Sequence, residues 1–244
     1  GKQVACEGID LPDGQTIKEV DENGYRYLGV LEGASIKTKE MKELVRKEYL
    51  RRVRRVARSR LYAGNLITAV NVWAVSVVRY TAGVLKWNVR ELKDMDIKTR
   101  KLLTVNGAFH RLSNKDRLYM KRKVGGRGLI SVEECVRAEE AGLREYVMAS
   151  DEWMLKVVAN GMVPGELKED YQRRLGKERA DKTRAKDIHG KFFKETDPVA
   201  DERSWQWMRS GFLDKRAESF LCAAQDNVLG TRYYNVSVLK KPGD

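Results

Sequence analysis

The chain has 244 residues, of which 42% are hydrophobic and 34% are charged. This much apolar material beneath a charged surface excludes a disordered chain, and 4 Pro and 20 Gly are too few for a fibrous one. No apolar run reaches about 18 residues, so the sequence predicts no transmembrane helix. Cys6, Cys135 and Cys222 lie far apart, which predicts a reduced, intracellular protein without a disulfide framework. Without a CxxC pair and with only two histidines, a Cys/His zinc site is excluded.

Positive charge is the strongest compositional signal. The 48 Lys and Arg residues against 35 Asp and Glu residues give a net charge of +13, which predicts attraction to a polyanion. Nucleic acid is the leading candidate, a membrane surface is the second, and a merely soluble basic domain is the alternative to both. The surplus is concentrated in Lys37–Arg60, with a net charge of +8, and in Lys86–Arg127, with a net charge of +9. The remainder of the chain is slightly acidic.

The first thirty residues have the composition of strands and turns. Three short β-prone runs are predicted as strands: Lys2–Cys6, Gln15–Val20 and Tyr25–Val30. Pro12–Gly14 and Asn23–Gly24 are predicted as the turns between them. The sequence therefore predicts an antiparallel hairpin followed by one more strand, and three strands need helices or further strands to pack against.

From Thr38 onward the pattern is helical. Apolar residues at intervals of three to five predict a first helix, with a break at Gly64 and Asn65. Leu66–Leu85 is predicted as the most apolar and central helix, and Val89–Val105 as a third, amphipathic helix.

The second half is also predicted to be mainly helical, after an irregular basic segment at Arg111–Gly128. Ser131 and Glu134 have capping-box spacing and predict a helix from Ser131 to Ala149. The remaining predicted helical segments are Trp153–Val158, Glu166–Lys186 and Val199–Leu229. The expected fold is a mainly α helical bundle with a small N-terminal antiparallel β element, in three parts at residues 1–36, 37–160 and 161–244.

Basic residues form one ridge on the first predicted helix. Counted from Lys47, they follow at 4, 7, 8 and 11 residues, which places them on a common face of the helix. The members of this α1 ridge are Lys47, Arg51, Arg54, Arg55 and Arg58. A solvated helix face is the plain alternative, but such faces usually mix charge signs at i,i+4, and only Glu48 interrupts this run. The pattern therefore predicts phosphate contacts.

A second basic cluster lies in Asp116–Leu129, where glycines surround a basic residue. Glycines let a backbone approach a phosphate closely, and an arginine can bind a phosphate or a base edge with two hydrogen bonds. The predicted contacts are Lys121, Arg122, Lys123 and Arg127. The alternative is a tight turn in which Gly125, Gly126 and Gly128 only supply unusual backbone angles before the next helix.

The aromatic residues leave two interpretations open. Trp73, Tyr80 and Trp87 are spaced seven apart, which predicts packing in the core rather than stacking on bases. Four aromatic residues near the C-terminus are candidates for anchors of a protein partner or for the core of the last helix pair, and we favour the core. They are Trp205, Trp207, Phe212 and Phe220.

The residue types needed for catalysis are not clustered in this sequence. Polymerases, nucleases and phosphotransferases hold divalent metal ions with neighbouring carboxylates, and the chain has no Asp-Asp pair. Asp94 and Asp96 lie two apart on a predicted helix and therefore on different faces. Phosphate-loop, HExxH and GxSxG motifs do not occur. We expect no catalytic residue, no metal site and no cofactor in this chain.

Four segments resemble, in order, the C-terminal part of a non-LTR (LINE-type) retrotransposon reverse transcriptase. They are Tyr25–Val30, Arg79–Trp87, Asp96–Leu103 and Asp116–Leu129, the last with Ile130–Glu134 after it. The resemblance covers roughly residues 10–150. Trp207–Thr231 is similar to the stretch that some copies carry before a terminal Cys/His zinc knuckle.

The resemblance implies that Tyr25–Val30 is the primer-grip strand at the edge of the palm, with Tyr27, Leu28 and Gly29 near a primer end. It implies that the following helices form the thumb, which holds the template–primer duplex. The family's metal-binding aspartates would precede Gly1 and its zinc knuckle would follow Asp244. We therefore expect a piece of a polymerase, a degenerate copy or a host-retained remnant, inactive alone.

The expected function is that of the nucleic-acid-binding portion of an RNA-directed DNA polymerase. The expected partners are RNA, an RNA–DNA hybrid or DNA, together with the remaining polymerase domains, and no membrane. The expected location is intracellular and nuclear. The alternative is a domesticated helical scaffold, derived from a reverse transcriptase, that binds protein.

Overall fold

Two short hairpins precede a set of helices in the computed structural model, which describes residues 9–10, 12, 14, 16–17, 25–32, 36–196, 203, 205–232 and 234–240. The prediction of a mainly α protein with a small N-terminal antiparallel β element is confirmed. Contacts divide the chain into two compact units, Gly1–Val45 and Arg46–Asp244.

The N-terminal unit contains two antiparallel strand pairs. Strand β1 (Ile9–Asp10) pairs with β2 (Thr16–Ile17), on either side of the predicted turn at Pro12–Gly14. Strand β3 (Tyr25–Tyr27) pairs with β4 (Val30–Glu32). The predicted strand Lys2–Cys6 and the predicted turn Asn23–Gly24 lie outside the described residues.

The prediction that Tyr25–Val30 is one continuous strand is wrong. Tyr27 pairs with Val30, so the chain reverses at Leu28 and Gly29. Both residues have positive φ, 47° and 82°, as a two-residue type I′ hairpin turn requires. Because glycine adopts this angle without a Cβ clash, Gly29 is the residue that permits the reversal. Tyr27, Leu28 and Gly29 are exposed at the tip of a hairpin rather than aligned along a strand.

The described helices account for most of the chain from residue 38 onward. They are α1 (Thr38–Arg58), α2 (Ala63–Ala69), α3 (Val75–Thr81), α4 (Val89–Val105), α5 (Lys115–Tyr119), α6 (Val132–Ala149), α7 (Trp153–Ala159), α8 (Lys168–Ala185), α9 (Lys191–Thr196), α10 (Gln206–Ser210) and α11 (Lys215–Gln225). Val70–Ala74 and Tyr234–Val238 are π-helical, and Arg122–Val124 is one turn of 3₁₀ helix.

Helices α4 and α6 match their predicted bounds because each has a strong N-terminal cap. The Ser131 hydroxyl accepts a hydrogen bond from the Glu134 N–H at 3.1 Å, as the sequence predicted. At the start of α4, Asn88 and Glu91 form a reciprocal capping box. Helix α6 packs against α3, α4 and α8.

The predicted break at Gly64 and Asn65 is wrong, since α2 begins at Ala63 and includes both residues. The break lies at Ser59–Tyr62. Gly64 instead marks a close approach of two backbones: its N–H donates to the Gly211 carbonyl at 3.2 Å, and a Cβ there would lie 2.8 Å from the Gly211 Cα.

The predicted last helix, Val199–Leu229, is also interrupted, because α10 ends at Ser210 and the next residue, Gly211, has a φ of +66°. Part of the predicted segment lies outside the described residues. The basic segment predicted to be irregular, Arg111–Gly128, contains α5 and the 3₁₀ turn.

The prediction that Trp73 and Tyr80 are core residues is wrong, although Trp87 is buried. Tyr80 is 62% exposed, and Trp73 lies at the surface with the Arg52 guanidinium 5.2 Å from its ring centre. Helix α3 ends at Thr81, so Trp87 lies beyond the helix and its burial does not follow from helical spacing. Trp73 and Tyr80, seven residues apart, share an exposed face rather than a buried one.

Asp96 links α4 to α6. Its carboxylate accepts hydrogen bonds from the Val132 N–H at 2.8 Å and the Glu133 N–H at 3.4 Å, which are free donors at the start of α6. Asp94 lies on another face of α4, where it pairs with Arg46 at 2.7 Å, so the predicted separation of the two carboxylates is confirmed. Burial raises the pKa of Asp96 to about 6, against the opposing effect of the two backbone donors.

This raised pKa predicts a pH-dependent stability. A buried carboxyl with a raised pKa stabilises the fold while protonated, and that contribution is lost as the pH rises from the ordinary value of 3.8 through about 6. Asp96→Asn removes the titration and keeps an acceptor for Val132. Its free energy of unfolding, relative to that of the unchanged protein, should therefore rise by about 2 kcal/mol between pH 4 and pH 7.

Urea unfolding followed by circular dichroism at both pH values measures this difference. Asp94→Asn, at a half-buried position on another face of the same helix, is the control for the substitution. If the difference in free energy of unfolding between Asp96→Asn and the unchanged protein is the same at pH 4 and pH 7, the prediction is wrong.

Candidate nucleic-acid interface

The α1 ridge lies on the surface along its whole length. Its five members are all exposed: Lys47, Arg51, Arg54, Arg55 and Arg58. The opposite face of the helix is buried and apolar, and it comprises Tyr49, Val53, Val56 and Ala57. The first and last ridge residues are eleven positions apart, which is about 16 Å along the helix axis at a rise of 1.5 Å per residue. A DNA strand has one phosphate per 3.4 Å of helix axis, so this length matches roughly five phosphates.

One ridge arginine is already paired. The Arg51 guanidinium donates to both oxygens of Glu48 at 2.6 Å, and Arg52 donates to the same carboxylate at 2.8 Å. These hydrogen bonds, with Arg51 the larger contributor, lower the pKa of Glu48 to about 2. The other four ridge residues form no ion pair with any residue that the structure describes.

The buried face of α1 fixes the orientation of the ridge. The Tyr49 hydroxyl shares a hydrogen bond of 2.8 Å with the Thr99 hydroxyl of α4 inside the core. Beyond the last turn, the Lys215 ammonium donates to the carbonyls of Ala57 at 2.7 Å and Ser59 at 2.8 Å. The helix is therefore anchored from its apolar side and at its C-terminal end, and its basic side is left to solvent.

The second predicted cluster is divided by the fold. Lys121 and Lys123 are exposed, whereas Arg127 is 1% exposed. The Arg127 guanidinium donates to Glu218 at 2.8 Å and to the Ala108 carbonyl. Arg122 binds the same Glu218 carboxylate and the Met208 carbonyl. The prediction that Arg122 and Arg127 contact phosphate is therefore corrected: both guanidinium groups are engaged by protein acceptors.

The glycines of this cluster serve a tight turn, the alternative that the sequence left open. Gly125 and Gly128 have φ of +82° and +78°. A Cβ at Gly125 would lie 2.7 Å from the Trp205 ring, and one at Gly126 would lie 2.2 Å from the Met120 carbonyl oxygen. The chain doubles back tightly here and leaves no space for a phosphate next to these two glycines.

Helix α11 supplies the acidic partners that neutralise this segment. Glu218 is fully buried between Arg122 and Arg127. Asp226, which follows the end of α11 and is also fully buried, binds the Arg117 guanidinium at 3.0 Å. It also accepts a hydrogen bond from the Asn114 N–H at 2.9 Å. Together these residues form a buried charge network.

Sequence reasoning missed this network, although one signal was present. Glu218, Cys222 and Asp226 lie four apart, so two carboxylates lie on the same stripe as a buried thiol. Acidic residues on an apolar stripe predict buried basic partners.

The four C-terminal aromatic residues have different environments. Trp205 is buried and stacks on Phe193 with the ring centres 5.8 Å apart, which confirms the core interpretation for this residue. Trp207 is half-buried. Phe212 and Phe220 are 73% and 60% exposed, so the core interpretation is wrong for these two.

The described residues contain no group of three or more His, Cys, Asp or Glu side chains that could hold a metal ion. None of their helices is long and apolar enough to cross a membrane.

The chain matches no protein-family model, and no curated protein or solved structure matches it either.

The buried charge network makes a stability prediction. Glu218→Gln leaves the buried Arg127 and the partly buried Arg122 without their carboxylate. Loss of one partner of a buried ion pair costs about 3 to 5 kcal/mol. The free energy of unfolding should fall by about that amount. Glu178→Gln is the matched control: Glu178 pairs with Arg174 at the surface, where such a pair contributes roughly 0 to 1 kcal/mol.

Denaturant unfolding monitored by circular dichroism compares the two variants. If Glu218→Gln lowers the free energy of unfolding no more than Glu178→Gln does, Glu218 is not the central partner of Arg122 and Arg127.

Proposed function

We propose that this chain binds the sugar–phosphate backbone of a nucleic-acid duplex through the α1 ridge. The observation that carries the proposal is a row of four exposed basic side chains that form no ion pair with a described residue: Lys47, Arg54, Arg55 and Arg58. The helix that carries them is anchored from its other face. Lys121 and Lys123 remain exposed candidates for further phosphate contacts.

The physical basis of binding is counterion release. Each phosphate that a Lys or Arg neutralises releases condensed cations, with a slope of about −0.9 per contact in log K against log salt concentration on B-form DNA. Four contacts therefore correspond to a slope of about −3.6. Such binding does not depend on base sequence, because the ridge reaches phosphates rather than base edges.

The resemblance to a non-LTR retrotransposon reverse transcriptase makes the proposal more specific. On that basis the helices correspond to a thumb and the ligand is a template–primer duplex of RNA and DNA. In that case this chain binds the duplex, and the remaining polymerase domains would catalyse DNA synthesis.

A charge-neutralising variant tests the ridge. Arg54→Gln, Arg55→Gln and Arg58→Gln together should weaken binding to every duplex by a similar factor and reduce the magnitude of the salt slope by about 2.7, or 0.9 per contact. Arg51 is left unchanged because it pairs with Glu48. Fluorescence anisotropy over a series of salt concentrations measures both quantities.

The control removes three basic residues from α8: Arg173→Gln, Lys177→Gln and Lys182→Gln. All three positions are exposed and the change in net charge is the same. Arg173 and Lys182 form surface ion pairs with Asp170 and Glu178, and such pairs contribute roughly 0 to 1 kcal/mol. If both triple variants lose the same affinity, binding depends on net charge and the ridge assignment is wrong.

The choice of duplex tests the family resemblance separately. We expect an RNA–DNA hybrid to bind more tightly than duplex DNA, duplex RNA or single strands in the same titrations. Equal affinity for all four ligands would support a general phosphate-binding helix and contradict the template–primer assignment.

A protein-binding scaffold is the second candidate function, and exposed apolar side chains favour it. Besides Phe212 and Phe220, four residues of α7 are more than half exposed: Trp153, Met154, Val157 and Val158. A dimer in sedimentation at high salt with nuclease present would favour the scaffold, whereas a monomer under those conditions would count against self-association.

A further inference from the structure

A groove separate from the α1 ridge opens beside α4. It is bounded by the C-terminal half of α4, by the 109–115 segment and by the turn after α8, and its volume is about 920 Å³. Small-molecule sites typically occupy about 300 to 1,000 Å³. The groove shares no residue with the ridge.

Cations dominate the polar part of this groove. Five Lys or Arg side chains and the single carboxylate of Asp187 line it. One of the five, Lys186, is already engaged by Asp116 at 2.6 Å. Three others are exposed and form no ion pair with a residue that the structure describes: Lys101, Arg111 and Lys115.

The remaining walls are apolar. Ile97 and Val105 lie eight residues apart on the same face of α4, and they are 42% and 84% exposed. Phe109 and Ile188 line the groove from the two segments that bound it on the other sides. An anion alone would gain nothing from these surfaces. A flat ring would bury the exposed parts of Ile97, Val105 and Ile188 and the 7% of Phe109 that is accessible.

We propose that this groove binds a nucleotide, with its phosphate against Lys101, Arg111 and Lys115 and its base against Ile97, Phe109 and Ile188. Phosphate and a flat, weakly polar ring are the two chemical features that the groove offers to bind. The nucleotide is either free in solution or the terminal unit of a nucleic-acid strand, and both present this chemistry. The proposal does not rest on duplex binding by the ridge.

The test uses the full chain and four probes: AMP, adenosine, inorganic phosphate and a five-nucleotide single strand with a 5′-phosphate. Binding is measured by competition against a fluorescent adenine nucleotide at low salt. AMP should compete at least tenfold better than adenosine and tenfold better than phosphate, since each lacks one of the two contact types; tenfold corresponds to about 1.4 kcal/mol. Competition by phosphate as strong as that by AMP would overturn the assignment of the apolar wall.

Two variants locate the site. Lys101→Gln, Arg111→Gln and Lys115→Gln together alter only exposed side chains, so the fold should persist, and AMP affinity should fall by roughly tenfold or more. The triple variant Arg54→Gln, Arg55→Gln and Arg58→Gln should bind AMP like the unchanged protein.

The outcomes separate the groove from the ridge and the two ligand sources from each other. No AMP binding by the unchanged protein, or an equal loss in both triple variants, overturns the groove proposal whatever the ridge does. Competition by AMP and by the five-nucleotide strand indicates a strand-end site, and competition by AMP alone indicates a free nucleotide.

Discussion

The helical unit depends on one buried carboxylate. Glu218 lies between the guanidinium groups of Arg122 and Arg127, so it joins α11 to a segment more than ninety residues earlier in the sequence. Burying these charges costs desolvation that their mutual attraction roughly balances, so the gain over an apolar core is small. The larger effect is on competing arrangements of the helices. If α11 packed elsewhere, Arg122 and Arg127 would lose their carboxylate partner. We interpret the network as a device that fixes which helix packs where, and the pairing of Asp226 with Arg117 repeats it eight residues later.

This network also changes the meaning of the positive charge. The surplus counted over Lys86–Arg127 includes three arginines that are buried or paired inside the protein, namely Arg117, Arg122 and Arg127. Two carboxylates from the C-terminal part of the chain, Glu218 and Asp226, offset two of these three charges locally. The field that reaches solvent therefore comes from lysines and arginines elsewhere, on α1 and beside α4. A count of charges along the sequence overstates the exposed surplus wherever the compensating acids lie far away in the chain.

Local signals explain which parts of the fold could be predicted. Helices α4 and α6 have strong caps, and the exposure of the α1 ridge follows from its spacing of three and four residues. The failures depend on distant partners. A glycine at position 64 suggests a helix end, but it is required there because the Gly211 backbone approaches too closely for a Cβ. Arg127 has the pattern of a phosphate ligand, but its partner is Glu218, which no local window contains. The groove beside α4 was not predicted, because three separate segments form it.

The end of α1 shows how the fold keeps the ridge available. The last carbonyls of a helix lack internal donors, and a basic side chain in the last turn often turns back to satisfy them. Arg55 and Arg58 occupy that turn. Here Lys215, from the start of α11, donates to the carbonyl of Ala57 inside the last turn and to that of Ser59 just beyond it. The Ser59 N–H and hydroxyl donate to the Val56 carbonyl. Because Lys215 and Ser59 satisfy these carbonyls, Arg55 and Arg58 are not needed for them and are exposed, where an anion can reach them.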